Sequence, residues 1–430
     1  MTRTMHLALF AQGVGVSQSV WRSPRTDPAM VDTLKHWAHL AQTAERGCFD
    51  AFFVADQLNL APTIAKDATD RLDPVVILSA LAAVTSRIGL VGTSSTTYND
   101  PYTVARQFAS LDHLSNGRAG WNVVTTAIAT AAANYGSAGL PDHTARYERG
   151  EEFVDVVRAL WEAWEADAIV GDVKTGEWAD LSKIHSIEHE GTHFQVKGPL
   201  TVPRSPQGRI PLAQAGSSPV GVRLGARVAD MVFTTQHDLD AARGFAEAMR
   251  TEAASFGRDS NAVRVLPGIT PIVGRTEQDA SELARELGSL ISEESTLGFL
   301  QQSFGGLDLT KYDLDEKFPD IRAELPDHAG VSRPALFIGM ALDEGLTVRE
   351  LAQRVGISIG HRPLVGTPDS IADEMELWFT AGAADGFIVL PADLPVGLEE
   401  FVELVVPRLQ DRGLLRTSYT GSTLREHLDE

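Results

Sequence analysis

The stretch LKHWAHLAQTAERGCFDAFFVAD, residues 34–56, joins two periodicities. Leu34, Trp37, Leu40, Ala41 and Ala44 recur at the spacing of one helix face, and Gly47 follows as the residue just past the helix end. The apolar run Phe49-Asp50-Ala51-Phe52-Phe53-Val54 then reads as a buried strand. The same junction returns at 225–234, where Ala229-Asp230-Met231-Val232-Phe233 leaves a helix, and at 382–391, with Ala384-Asp385-Gly386-Phe387-Ile388-Val389-Leu390. Three copies predict a repeated α/β unit. Between them, 87–93 reads as a strand, Asp100 and Pro101 open a helix as N-cap and N1, and Asn116-Gly117 ends it before a strand at 119–124. So short a crossover makes the two strands parallel and right-handed. Further strands at 7–11, 210–215 and 263–273 bring the number to about eight. Alternation on that scale predicts an α/β fold of the (β/α)8 TIM-barrel type with insertions, rather than a doubly wound open sheet.

The 430 residues are expected to form one barrel domain over 1–430, with insertions at about 126–200 and 280–362 that fit poorly in a minimal barrel. The first carries an amphipathic helix through Tyr147, Phe153, Val157, Leu160, Trp161 and Trp164. Because barrel chemistry is built at the C-terminal ends of the strands, such insertions would wall or cover a substrate. A net charge of −21 without a cluster of Lys and Arg argues against a nucleic-acid surface and an anionic membrane. The start of the chain lacks a signal-peptide pattern, which predicts a cytoplasmic protein. Cys48 is the single cysteine and is expected to pack as a small core residue.

His189-Glu190-Gly191-Thr192-His193 matches H-E-x-x-H, which on a helix places two imidazoles on one face for zinc. Gly191 and the alternating Phe194-Gln195-Val196-Lys197 argue for a hairpin instead, and no metal site is expected. Gly216-Ser217-Ser218-Pro219 follows an apolar strand and opens a helix, with Ser218 as N-cap and Pro219 at N1. Free N–H groups, two hydroxyls and a glycine make a phosphate site, although plain helix capping accounts for Ser218 equally well. Asp56, the hydroxyls at 93–97 and the run Trp121-Asn122-Val123-Val124-Thr125-Thr126 put polar groups at three other strand ends. They suit a ligand rich in donors and acceptors, or form a capping network. Neither a Ser-His-Asp set nor a P-loop is readable, and Gly13-Val14-Gly15 lacks the dinucleotide spacing. A bound cofactor is therefore the expected carrier of the chemistry.

Several motifs together carry a family signature: residues 49–56, Ser95-Thr96-Thr97-Tyr98 with Pro101-Tyr102, Leu111 to Arg118, Trp121 to Thr125, Arg146-Tyr147, and Gln214 to Ser218. Later pieces are Gly360-His361-Arg362, Val365-Gly366-Thr367-Pro368, Ala384 to Phe387 and Val405 to Leu414. The chain resembles the bacterial luciferase-like flavin monooxygenases, and within them the nitrilotriacetate and dibenzothiophene-sulfone monooxygenase group. The resemblance implies a TIM barrel that uses reduced FMN as a co-substrate with O2. It also implies a separate NAD(P)H:FMN reductase partner, a small-molecule substrate and an assembly of identical chains. Carried over by motif, Asp56, Thr93, Asn122, Thr125 and Thr126 line the flavin ring and ribityl chain, and Tyr147, Ser217 and Ser218 hold its phosphate. Phe10, His143, His361 and Arg362 are expected on the substrate side, Arg362 pairing either a substrate carboxylate or a structural acid. The alkane-type members carry a histidine where this chain has Ala127, and residues 11–20 lack that subgroup's cysteine and histidines, so the signature leans toward aminopolycarboxylate, N-alkyl or organosulfur substrates. Two other readings remain on this fold, a deazaflavin-dependent oxidoreductase and a flavin-binding protein without turnover.

Overall fold

The computed structural model describes residues 3–60, 62–66, 68, 72–126, 128–137, 139–326 and 332–430, so Ala127 lies outside the described residues. Eight parallel strands close on themselves in the order β1 (His6–Ala11), β2 (Ala51–Val54), β3 (Gly89–Ser95), β4 (Ala119–Val124), β5 (Leu212–Gln214), β6 (Met231–Thr234), β7 (Arg264–Val273) and β9 (Gly386–Val389), which returns to β1. A further parallel strand, β8 (Arg362–Gly366), pairs with the C-terminal half of β7 from Ile269 to Val273. The expected barrel is therefore present, with one strand more than the sequence suggested.

Helices α1 (Leu34–Arg46), α2 (Pro74–Ala82), α3 (Pro101–Leu114), α4 (His143–Glu162), α5 (Pro219–Val228), α6 (Leu239–Ser255) and α7 (Glu277–Leu290) follow the first seven strands. Their starts obey local chemistry. Asp100 Oδ1 caps α3 at the N–H groups of Tyr102 and Thr103, with Pro101 at N1, and Ser218 caps α5 at Gly221 N–H, with Pro219 at N1. Helix α1 ends at Arg46, just before Gly47, as expected, although Gly47 has φ −76° and the left-handed residue is the buried Cys48, at φ +57°. Gly47 serves packing instead, since a Cβ there would meet Val402 Cγ2 at 3.0 Å.

The two stretches expected as insertions divide. Helix α4 buries Tyr147, Phe153, Val157, Leu160 and Trp161 and packs against α3 and α5, so it is the barrel's own fourth helix. The additions lie after it, where residues 169–179 and 189–196 form two small hairpins. Likewise α7 packs on β7 and β8, and the later insertion is the bundle α8 (Glu293–Ser303), α9 (Ser332–Glu344) and α10 (Val348–Ser358), which buries its own core around Phe304, Phe318, Phe337 and Leu351.

Inside the barrel, Ala8, Phe10, Ala51, Phe53, Val91, Ala213, Met231, Leu266 and Ile388 form one cluster with Leu424 and Leu428 of the C-terminal helix (Leu424–Asp429). That helix plugs the N-terminal end of the barrel. Gly89 and Gly120 admit it, because a Cβ at either would lie 2.5 or 2.8 Å from a Leu424 methyl. Above the plug, Phe10, Phe53 and Phe233 stand 5.9–6.2 Å apart and floor the open end. Among the described residues no helix is long and apolar enough to cross a membrane.

Candidate active site

A cavity of about 970 Å3 opens at the C-terminal ends of the strands, floored by Phe10 and walled in part by the later insertion. Its most specific corner lies where β5 meets α5. Gly216 and Gly221 approach so closely that a Cβ on Gly216 would lie 3.0 Å from Gly221 Cα and 3.1 Å from Tyr147 Oη. Tyr147 is buried on α4, yet its hydroxyl end reaches this corner and lines the cavity. Ser217 and Ser218 line the cavity beside it at the start of α5. A helix N-terminus, two hydroxyls and a phenol around two glycines form a cradle for an anion of phosphate size.

The other strand-end residues occupy two depths. Thr93 and Asn122 are register partners on adjacent strands and lie below the cavity lining. Asn122 Nδ2 donates to Thr93 Oγ1 at 2.9 Å, and Thr93 Oγ1 donates to the carbonyl of Val54 at 2.9 Å. Asn122 Oδ1 is buried without a partner. Asp56 and Thr125 do line the cavity, Asp56 Oδ1 accepting from Gln57 N–H at 2.8 Å. Thr126 lies behind, its Oγ1 2.6 Å from Ser95 Oγ. Arg146 turns its Nε and Nη1 to the carbonyls of Pro141, Thr125 and Thr126, so it braces the loop after β4 and is not solvated.

On the substrate side, Phe10 and His143 line the cavity. His143 sits 4.8 Å from the Tyr147 ring, and burial, then the nearby Arg146 cation, pushes its pKa below that of a free imidazole. His361 stacks on the far face of Phe233 at 4.9 Å and is itself buried. Burial first, then the charge of Arg333, pushes its pKa well down and keeps the ring neutral. Arg362 does not reach the cavity lining. Its guanidinium donates to Glu374 and to the carbonyl of His237, both at 2.5 Å, and lies over Trp378. The structural acid, not a substrate, is its partner.

The zinc-like motif forms a hairpin, His189–Glu190 pairing with Gln195–Val196. His189 Nε2 stands 3.0 Å from Glu152, whose carboxylate also accepts from the N–H groups of His193 and Phe194. Cavity residues that sequence reasoning missed include Ser17, Phe299 and Arg333. None stands in a recognisable motif; the only cue was that Phe299 and Arg333 fall within the stretch already marked as an insertion.

The family model of the luciferase-like monooxygenases matches residues 2–385. The chain is 45% identical over 425 residues to the N-acetyl-S-(2-succino)cysteine monooxygenase of Bacillus subtilis (strain 168), covering 99% of this chain and 96% of the relative. It is 43% identical, with the same coverage, to nitrilotriacetate monooxygenase component A of Aminobacter aminovorans. Among solved structures, a riboflavin lyase crystallised with modified FMN and riboflavin superposes with a TM-score of 0.89 at 33% identity, over 99% of this chain and 95% of the other. A long-chain alkane monooxygenase superposes at 0.88 and 32% identity, over 100% and 96%. A closed parallel barrel with its polar cradle at the strand ends, matched along its length, means that the chain belongs to the luciferase-like monooxygenases.

Proposed function

We propose that this protein is the oxygenase of a two-component system that takes reduced FMN from a separate NAD(P)H:FMN reductase. With O2 it would insert one oxygen atom into a small organic substrate. The observation that carries this reading is the cradle at Gly216, Gly221, Tyr147, Ser217 and Ser218, opening on a cavity large enough for a flavin and a small substrate. Support comes from the relatives, one of which is named component A of a monooxygenase.

The residues present fit FMN. The cradle suits a phosphate dianion, and the unpartnered Asn122 Oδ1 is an acceptor for an N–H of a reduced isoalloxazine. When bound, reduced FMN supplies the two electrons with which O2 is activated. The chain's own tasks are binding and exclusion: Tyr147, Ser217 and Ser218 on the phosphate, Asp56 and Thr125 along the ribityl chain and ring, with Thr93, Asn122 and Thr126 in the layer behind them. Phe10, Phe53 and Phe233 close the floor to water. The substrate class is a thioether or amine of the aminopolycarboxylate, N-alkyl or organosulfur kinds, in line with the names of the two relatives quoted above.

An anaerobic titration with reduced FMN, followed by reaction under 18O2 with candidate substrates and a generic flavin reductase, tests the reading. Saturable binding and one 18O atom per product are expected. Preference for a reduced deazaflavin over FMN, or FMN binding with no oxygenated product from any candidate, would replace this reading with one of its two rivals.

A further inference from the structure

The first turn of α9 brings Arg333 to the cavity wall, where its guanidinium lies 5.7 Å from the ring centroid of Phe299, another wall residue. Among the described residues no carboxylate pairs with it and no carbonyl accepts from it. Arg333 is an exposed residue of the cavity wall, and the neighbouring protein still pushes its pKa below the usual guanidinium value. Arginine stays charged under such conditions. A cation on a cavity wall with no counter-charge among the described residues attracts an arriving anion.

The other charged groups of the cavity have partners, Asp56 accepting from Gln57 N–H at 2.8 Å. Arg146 is bonded to three backbone carbonyls. Asp308 accepts from Thr310 N–H and Oγ1 and from Gln301 Nε2, and so fastens its own loop. His143 and the neighbouring His361 are held toward the neutral form, the first by burial and then Arg146, the second by burial and then Arg333 itself. A second, independent sign comes from the β1 side of the same cavity. Ser17 is 3% exposed, lines the cavity, and its Oγ has no partner among the described residues.

We infer that Arg333 is the anion anchor of the substrate site, a planar guanidinium fork on the wall of the later insertion that takes a carboxylate, with Ser17 Oγ as a further donor in the same cavity. The proposed oxygenase activity gives this ligand its role as substrate; the anchor itself is a binding site. A guanidinium fork selects planar anions over neutral molecules of the same shape, because only the anion makes paired charge-assisted hydrogen bonds with it. The flavin corner is built on the barrel, whereas this corner is built on the insertion, so the substrate's acid group and the cofactor are recognised by separate parts of the chain.

Calorimetric titration of the flavin-free protein with nitrilotriacetate, with succinate and with neutral succinamide tests the anchor. Both carboxylates are expected to bind the wild type and to weaken at least tenfold in Arg333→Met, while succinamide binds all forms equally poorly. Arg333→Lys, which keeps the charge without the fork, should fall between, and Ser17→Ala should weaken carboxylates two- to fivefold. Unchanged affinity for reduced FMN in Arg333→Met verifies the fold; should that variant fail to fold, Arg333→Lys and Ser17→Ala carry the test. Carboxylate binding that is absent in the wild type, or equal in wild type and Arg333 variants, overturns the anchor. Arg333-dependent carboxylate binding without FMN-dependent oxygenation would leave the anchor standing and remove the oxygenase reading.

Discussion

The two ends of this barrel each present a guanidinium, buried at one end and exposed at the other, and they treat it in opposite ways. At the N-terminal end, Arg416 is 7% exposed and donates to Asp50 Oδ1 at 2.7 Å and to the carbonyl of His427 at 2.9 Å. Asp50 in turn accepts from Leu7 N–H at 2.7 Å and lies 3.1 Å from His6 Nδ1. At the open end, Arg333 has an aromatic ring and a cavity. The closed end spends its charge on tying the C-terminal segment to β1 and β2; the open end keeps its charge for a ligand. Barrels divide labour in this manner, with stability at the bottom face and chemistry at the top.

The largest effect that would break this contrast is at the bottom. Asp50→Asn leaves Arg416 buried beside a neutral amide and should cost about 3–5 kcal/mol of unfolding free energy in urea titration. A loss under 1 kcal/mol would mean that the bottom pair is no anchor. The same pair sets an acid limb. Burial opposes ionisation of Asp50, but Arg416, then His6 and the Leu7 N–H, outweigh it and hold its pKa below the usual carboxylate value. Its stabilisation is therefore complete above the unfolded value of about 3.9 and is lost as pH falls through the lower folded value. Stability measured from pH 6 downward should drop below about pH 4 in the wild type and more gently in Asp50→Asn.

At the open end the expected effects fall on ligands rather than on the fold. Ser217→Ala with Ser218→Ala should weaken reduced-FMN binding by about 1–3 kcal/mol, if both hydroxyls meet the phosphate. Loss of the Ser218 cap should cost about 1 kcal/mol of stability in the same protein. Equal flavin affinity in the double variant would reduce Ser218 to a helix cap. The smallest effect is Tyr147→Phe, which removes one hydroxyl from the cradle: about 0.5–1.5 kcal/mol of flavin affinity, with little change in thermal midpoint. A large stability loss there would show that the phenol belongs to the packing rather than to the site.

Strand periodicity, capping residues and the Gly-Ser-Ser-Pro turn were legible because each depends on neighbours a few residues away. That is why α1 was expected at the bounds it has, and why Asp100 and Ser218 cap where they should. Gly47 marked the helix end in the sequence, but its packing role was hidden there because it is set by Val402, far along the chain. Arg362 invited a substrate reading until Glu374, on the following helix, supplied its counter-charge. Tyr147 was balanced between core and cavity, and only the approach of Gly216 and Gly221 showed that its buried side chain brings the hydroxyl to the cavity corner.

The amino-acid order alone settled the barrel, its helix starts and the kinship with flavin oxygenases, since local periodicity and clustered motifs survive without knowledge of distant contacts. Tertiary structure alone decided which arginine faces the cavity with no carboxylate partner among the described residues. Whether a guanidinium meets a carboxylate, a ring or a cavity depends on residues brought together from Asp50 and Arg416, or from Phe299 and Arg333 and the loop at Ser17, and electrostatic energy follows those distances rather than position in the chain.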